Sequence, residues 1–414
     1  MHEIELRPQP AGIFALPAAH LILPPVADAS EALQALLRGD GAADVPSQWQ
    51  FFVAAARGDV QRACELLPTD DQPLTRYNRF VLQPTAQCYD EVKAELTGAL
   101  AALLEVAAYC AGVVDAIADE FQLDGELLAV ALAAAAAADL ERQQHAAAMD
   151  KLRQAADACR APSPLLAALL LGECADVLLQ TPDASPAAAA QLYREAMQLA
   201  DGCPGSLVRA ELWMKLGMVY QNSANGQRGA LLEAVSVYQA ALHGGITAAE
   251  QPELFAQLQN NLGLAYLSMP AVESSSQLRT GVAIQSFRHA LTVYEKETHP
   301  DMWASVSMNL ANALQYAPSS HPQDNLIQAV EIYEDVLQVR SRARDPVAYA
   351  LVLLNQANAL AHLGVFKPAL EKLAEAYKLF HWYDHVEQAD AAQQLVDQIN
   401  QRLSDVRQPA ASAR

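Results

Sequence analysis

The reading of this chain turns on Gln-Asn-Asn-Leu-Gly-Leu-Ala-Tyr (Gln259 to Tyr266) and the Ala-Ile-Gln-Ser-Phe-Arg-His-Ala-Leu that follows it (Ala283 to Leu291), both inside the stretch Gln257 to Tyr294. Each half has apolar residues three and four apart, the spacing of one helix face. Each also has small residues where a second helix would have to come close. A helix pair of this length cannot bury its apolar stripe alone, so a repeated pair stacks on its neighbours.

The pair does repeat. A small residue, a ring or aliphatic residue four later and a small or short residue three after that recur at Ala148/Leu152/Ala155, Ala189/Tyr193/Ala196, Ala234/Tyr238/Ala241, Ala283/Phe287/Ala290, Ala329/Tyr333/Val336 and Ala369/Leu373/Ala376. The middle residues are 41, 45, 49, 46 and 40 apart (193−152, 238−193, 287−238, 333−287, 373−333). The partner helix recurs too: Leu171-Gly172, Leu216-Gly217, Leu262-Gly263, Leu310-Ala311 and Gln356-Ala357. Gly263 and its equivalents are expected to let the two helices of a pair approach, and Tyr266 and Phe287 to fill the gap between pairs.

In these residues the chain resembles the tetratricopeptide-repeat family. That pattern runs Trp, Leu, Gly, Tyr on a first helix and Ala, Phe or Tyr, Ala on a second. Trp213, Leu216, Gly217 and Tyr220 match the first helix of one unit, and Ala234, Tyr238 and Ala241 its second. Leu262, Gly263, Tyr266, Ala283, Phe287 and Ala290 match the next. The family unit is about 34 residues, shorter than the spacing here. The excess is expected in turns holding Pro270, Pro318 and Pro322, and in second helices running a turn longer before Pro300 and Pro346. The phrase His299-Pro300-Asp301, followed by Asn309-Leu310-Ala311, is similar to the longer repeats of kinesin-light-chain-like and bacterial signalling arrays. The resemblance implies an all-α fold: a right-handed α-solenoid of stacked antiparallel helix pairs with a concave, peptide-binding face.

Composition agrees. The chain is 52% hydrophobic with 6% aromatic residues, which suits helices packed through small side chains better than a β-sandwich. Lys and Arg number 27 against 48 Asp and Glu, a formal charge of −21. Such a chain repels phosphate backbones and anionic lipid, and the reading finds no basic run, so neither nucleic acid nor a membrane is expected as partner. Cys64, Cys88, Cys110, Cys159, Cys174 and Cys203 form no Cys-x-x-Cys motif and read as small buried hydrophobes in a reducing compartment. The first 25 residues are not a signal peptide, and no apolar run reaches the roughly 20 residues of a membrane span. A cytoplasmic protein is expected.

The organisation reads as an irregular head (1–47), an N-terminal helical domain (48–125), about six repeats (126–385), a capping helix (386–404) and a tail (405–414). In the head, Glu3 to Arg7 and Ile13 to Leu23 could be short extended pieces, Ser30 to Arg38 is a helix candidate ended by Gly39-Asp40-Gly41, and Ile13, Phe14, Leu21 and Ile22 either belong to a flexible lead-in or cover apolar surface on the body. Gln48 to Ala56 and Val60 to Leu67 read as a helix pair turned by Arg57-Gly58-Asp59. Gln87 to Phe121 reads as one long apolar helical stretch.

No catalytic constellation emerges: there is no Gly-rich phosphate loop and no Gly-x-Ser-x-Gly. His381 and His385 stand four apart, so on one helix both could face a metal; the alternative is an aromatic seam through His381-Trp382-Tyr383-Asp384-His385. No metal or cofactor is expected. The resemblance places the first helix of each unit along the groove. Asn312 and Asn358 then fall where the family often hydrogen-bonds a peptide backbone, with Asn260 one turn earlier on its own helix. Alternatively these amides satisfy neighbouring helix ends. Met214, Met218, Leu264, Tyr316 and His362 complete a mixed apolar and polar groove. The expected function is a non-catalytic scaffold or adaptor binding a protein or peptide segment. A regulatory receptor switched by a peptide or small ligand, or a metal-binding protein or enzyme using His381 and His385, are the alternatives. A homo-oligomer is compatible with the N-terminal helices.

Overall fold

A computed structural model describes residues 17–37, 44–201, 206–270, 276–318 and 321–412. The expectations for Glu3 to Arg7, Ile13, Phe14, Gly39 to Gly41 and Cys203 lie outside the described residues. Within them the regular structure is helical throughout, with no strand. The chain divides into two compact units between Ser223 and Ala224.

The first unit contains α1 (Ser30–Leu37), α2 (Gln50–Ala56), α3 (Val60–Leu66), α4 (Pro73–Leu82), α5 (Ala86–Lys93), α6 (Gly98–Cys110), α7 (Gly125–Glu141), α8 (His145–Cys159), α9 (Pro164–Leu179), α10 (Pro186–Ala200) and α11 (Ser206–Ser223). Short 3-10 turns at Ala18–His20 and Ser47–Trp49 precede α1 and α2. The second contains α12 (Arg228–His243), α13 (Pro252–Ser268), α14 (Ser276–Ala290), α15 (Pro300–Gln315), α16 (Pro322–Val339), α17 (Pro346–His362), α18 (Phe366–Trp382) and α19 (Val386–Ser412). From α7 to α11, and again from α12 to α19, each helix packs on the next; α9 also touches α11, α13 touches α15, α15 touches α17 and α17 touches α19. First helices of successive pairs therefore lie side by side.

The eighteen anchor residues of the six second helices hold these stacks together: none is more than 2% exposed. Gly263 faces the ring of Phe287, and a Cβ there would lie 2.6 Å from Phe287 Cε1. Gly172 instead meets Leu212 on α11, the first helix of the next pair, at 2.8 Å from its Cδ2.

Several local expectations change. Gln87 to Phe121 is not one helix. It breaks before Gly98 (φ +62°) and ends near Gly112 (φ +68°), left-handed conformations that stop a helix and favour glycine. Pro300, Pro322 and Pro346 open α15, α16 and α17 rather than sit in turns or end long second helices; proline has no N–H to lose at that first position. Cys159 and Cys174 are buried and Cys64 and Cys88 half-buried, but Cys110 is exposed. Burial and the nearby Glu126 push the Cys159 thiol up to about 12.

In the first unit, Leu21, Ile22 and Leu23 lie at 1–2% exposure in a core with Trp49, Phe51, Phe52, Tyr77 and Phe80. Side chains bind their backbone. Ile22 N donates to Asn78 Oδ1 at 2.9 Å and Asn78 Nδ2 donates to Ile22 O at 2.8 Å. Tyr77 Oη donates to His20 O at 2.9 Å and Trp49 Nε1 to Pro24 O at 2.7 Å. Among the described residues no helix is long and apolar enough to cross a membrane.

Candidate functional site

Counted from Gly263, Ala311 and Ala357, the residues six before, two before, one after and five after share one side of α13, α15 and α17. They are Gln257, Asn261, Leu264 and Ser268; Ser305, Asn309, Asn312 and Tyr316; Leu351, Asn355, Asn358 and His362. All twelve are half-buried or exposed, whereas Leu262 and Gly263, Leu310 and Ala311, and Gln356 and Ala357 are buried. None is Asp, Glu, Lys or Arg. In a chain of net charge −21, this is an uncharged, amide-rich face.

Its polar groups bond to one another, to Asn260 one turn before Leu264 at the edge of the face, and to Tyr333 buried behind it. Asn309 Nδ2 on α15 donates to Asn260 Oδ1 on α13 at 3.0 Å. Asn358 Nδ2 on α17 donates to the hydroxyl of Tyr316, just past α15, at 2.7 Å. Tyr333 Oη on α16 donates to Asn312 Oδ1 at 2.5 Å. The Tyr316 ring, 65% exposed, meets the His362 ring edge-on with centroids 6.4 Å apart. Burial, and to a lesser degree Tyr316, pushes the Tyr333 phenol above its ordinary range, so Tyr333 remains a donor. Charge reaches the N-terminal edge of the face, where Arg340 donates to Ser305 Oγ at 2.7 Å.

Met214 and Met218 belong to the first unit, half-buried and exposed respectively on α11. Their surroundings are charged. Tyr193 Oη donates to Asp176 Oδ1, and Lys215 Nζ donates to Asp176 Oδ2 at 2.6 Å. Burial raises the Glu173 and Glu211 carboxyls, with Lys215 pulling the other way. The structure thus brings Asn260, Asn312, Tyr316, Asn358 and His362 into contacts within one unit, with Leu264 on the same face.

The sequence reading missed three things. Asn309 repeats at Asn261 and Asn355, each two residues before the small residue of its helix. Tyr333 reads as a packing residue, yet its hydroxyl serves Asn312. A basic run does exist: Arg340, Arg342 and Arg344 occupy the turn after α16. Arg344 pairs with Asp301 at 2.8 Å and Arg342 with Glu375 at 3.5 Å.

His381 and His385 do not share a helix. α18 ends at Trp382, and Asp384 turns left-handed (φ +58°) before α19 begins at Val386, so a separation of four does not put the two rings on one helix face. Trp382 is 79% exposed and Tyr383 46%, so these rings form no sealed seam either; Tyr377 stacks on His381 at 6.0 Å. Among the described residues no three His, Cys, Asp or Glu gather as a metal site.

No protein-family model matches the chain, and no curated protein does. Among solved structures it is similar to a signal transduction ATPase with numerous domains that carries a tetratricopeptide repeat sensor, from Pyrococcus horikoshii. The identity is 11% and the TM-score 0.55, over 87% of this chain and 50% of that one. The chain has the tetratricopeptide-repeat fold. This chain spans about half the length of that ATPase. The chain is also similar to BtubC from P. vanneervenii (20% identity, 59% of this chain and 92% of that one, TM-score 0.45) and to a Rap protein complexed with Competence and Sporulation Factor (12%, 86% and 95%, 0.40).

Proposed function

We propose that this tetratricopeptide-repeat chain is a non-catalytic binding protein that holds a segment of another polypeptide on the exposed side of α13, α15 and α17. One observation carries the reading: twelve accessible positions on or at the end of these helices without a formal charge, five of them asparagine, in a strongly acidic chain. Amides donate and accept at once, which suits the main chain of a guest. Exposed Tyr316 and the His362 edge supply an aromatic shelf for a side chain beside it.

The test is a display library of random ten-residue peptides, selected against the full chain and then against N312A and N358A. Each alanine should weaken the selected peptides by roughly 1–3 kcal/mol, on the order of five- to 150-fold. Selected peptides that bind both variants as tightly as the native chain would place the site elsewhere.

A further inference from the structure

This inference rests on the proposed binding face of the second unit and asks which atoms of a guest that face accepts. Three of its side-chain hydrogen bonds run in one sense. Tyr333 donates to Asn312, Asn309 donates to Asn260, and Asn358 donates to Tyr316. In each, the receiving side chain owns a proton of its own: the amide nitrogen of Asn260 and of Asn312, the hydroxyl of Tyr316. An amide is planar with oxygen and nitrogen on opposite arms. Engaging the Asn312 oxygen from Tyr333, which is fully buried, therefore aims the Asn312 nitrogen away from the core. Tyr316 accepts from Asn358 and keeps its own O–H for the exposed side. A donor that has itself accepted a bond is polarised and strengthened.

We propose that Asn260, Asn312 and Tyr316 form a row of preset donors that grips an extended polypeptide segment by its main-chain carbonyls, and that Tyr333 is the positioning residue that fixes the row's polarity. A helical guest is disfavoured, because all but its last four carbonyls already accept from its own N–H groups. Anionic acceptors are disfavoured by the net charge of −21 and by the lack of Lys and Arg at the twelve positions. A polyproline II segment fits the chemistry: its carbonyls face solvent, and proline has no N–H left wanting an acceptor.

Decaproline is the discriminating probe, since its peptide bonds offer carbonyls and no N–H. The full chain is titrated with it at about 50 and about 500 mM NaCl, beside a flexible (Gly-Ser)5 peptide. The expected result is that decaproline binds more tightly than (Gly-Ser)5 and that its affinity changes less than about twofold with salt. N312A and Y333F should each lower that affinity about fivefold or more. Y333F keeps the ring in its packing, and circular dichroism verifies the fold. In 15N spectra the Asn312 side-chain amide should move downfield on adding decaproline to the native chain and not to Y333F. If library-selected peptides bind but decaproline does not, the donor row is wrong while the binding face stands. Equal decaproline affinity in Y333F and the native chain removes Tyr333 from its role. Silence from decaproline and from the whole library sinks this inference and the proposed function together.

Discussion

Gly263 shows how tightly one residue can be specified. An added methyl would sit 2.6 Å from the Phe287 ring, which is itself 0% exposed, and a rigid ring cannot swing aside as a lysine tip would. G263A should cost about 1–3 kcal/mol by overpacking, and F287A about 3–5 kcal/mol by leaving a cavity. The double variant should cost clearly less than the two together, because shrinking the ring makes room for the methyl. Urea unfolding of all three checks this; strict additivity would mean that the two residues do not meet. The small residue and the ring were each legible from the sequence, because each recurs in unit after unit; that the Phe287 ring lies on Gly263 was not, since the spacing assigns that ring to the gap between pairs. The polarity of the amides was not. Which arm of Asn312 turns inward depends on a tyrosine hydroxyl 21 residues later (333−312), and spacing alone assigns that tyrosine only to packing. His381 and His385 mislead for a related reason: a separation of four places two residues on one face only while the helix continues, and Asp384 ends it.

At the scale of elements, the repeat helices were readable because a period of three to four survives any tertiary setting. The segment from Pro17 to Pro24 was not, since it has no periodicity and takes its conformation from partners more than 20 residues away. Asn78 holds both backbone groups of Ile22 in a buried site. N78A would leave an N–H and a C=O buried without those partners, at roughly 1–3 kcal/mol each. The expected result is a loss of several kcal/mol in urea unfolding, with N78D closer to N78A than its shape suggests, because a carboxylate cannot donate to Ile22 O. His20 gives the same segment a pH dependence. Burial lowers its imidazole from 6.5 to about 4, so the folded chain binds its proton less readily than the unfolded chain does. Its contribution is therefore whole above pH 6.5 and is lost as pH falls from 6.5 towards 4. Relative to H20Q, the native chain should lose stability across that window and match its own high-pH difference above it. A flat difference between the two proteins from pH 7 to 4 would show that His20 is not desolvated as described.

For the whole molecule the dominant long-range quantity is charge. Asp and Glu exceed Lys and Arg by 21 (48−27), so folding concentrates like charges that the unfolded chain spreads out. Ion pairs oppose this. Most of those present are at least partly exposed, as Arg62–Glu65 and Arg344–Asp301 are, and exposed pairs contribute about 0–1 kcal/mol each. The Lys151–Asp139 pair at 2.8 Å is better shielded. Burial alone would lower Lys151, but its bonds to Asp139 and Asp119 outweigh that and hold it above its usual value. Salt screens repulsion and attraction alike beyond about 10 Å at 0.1 M. The excess of acids means more repulsive pairs than attractive ones lie beyond that distance, whereas the attractive contacts are short. Screening should therefore stabilise this chain: Tm is expected to rise as NaCl goes from about 20 to about 200 mM at pH 7.5. The same screening acts little on a neutral guest held by amides and a phenol, so stability and binding should respond differently to one change of buffer. A Tm that falls with salt would mean that the surface ion pairs outweigh the net repulsion. Peptide affinity that falls steeply with salt would mean that Arg340 and its neighbours, rather than the asparagines, carry the contact.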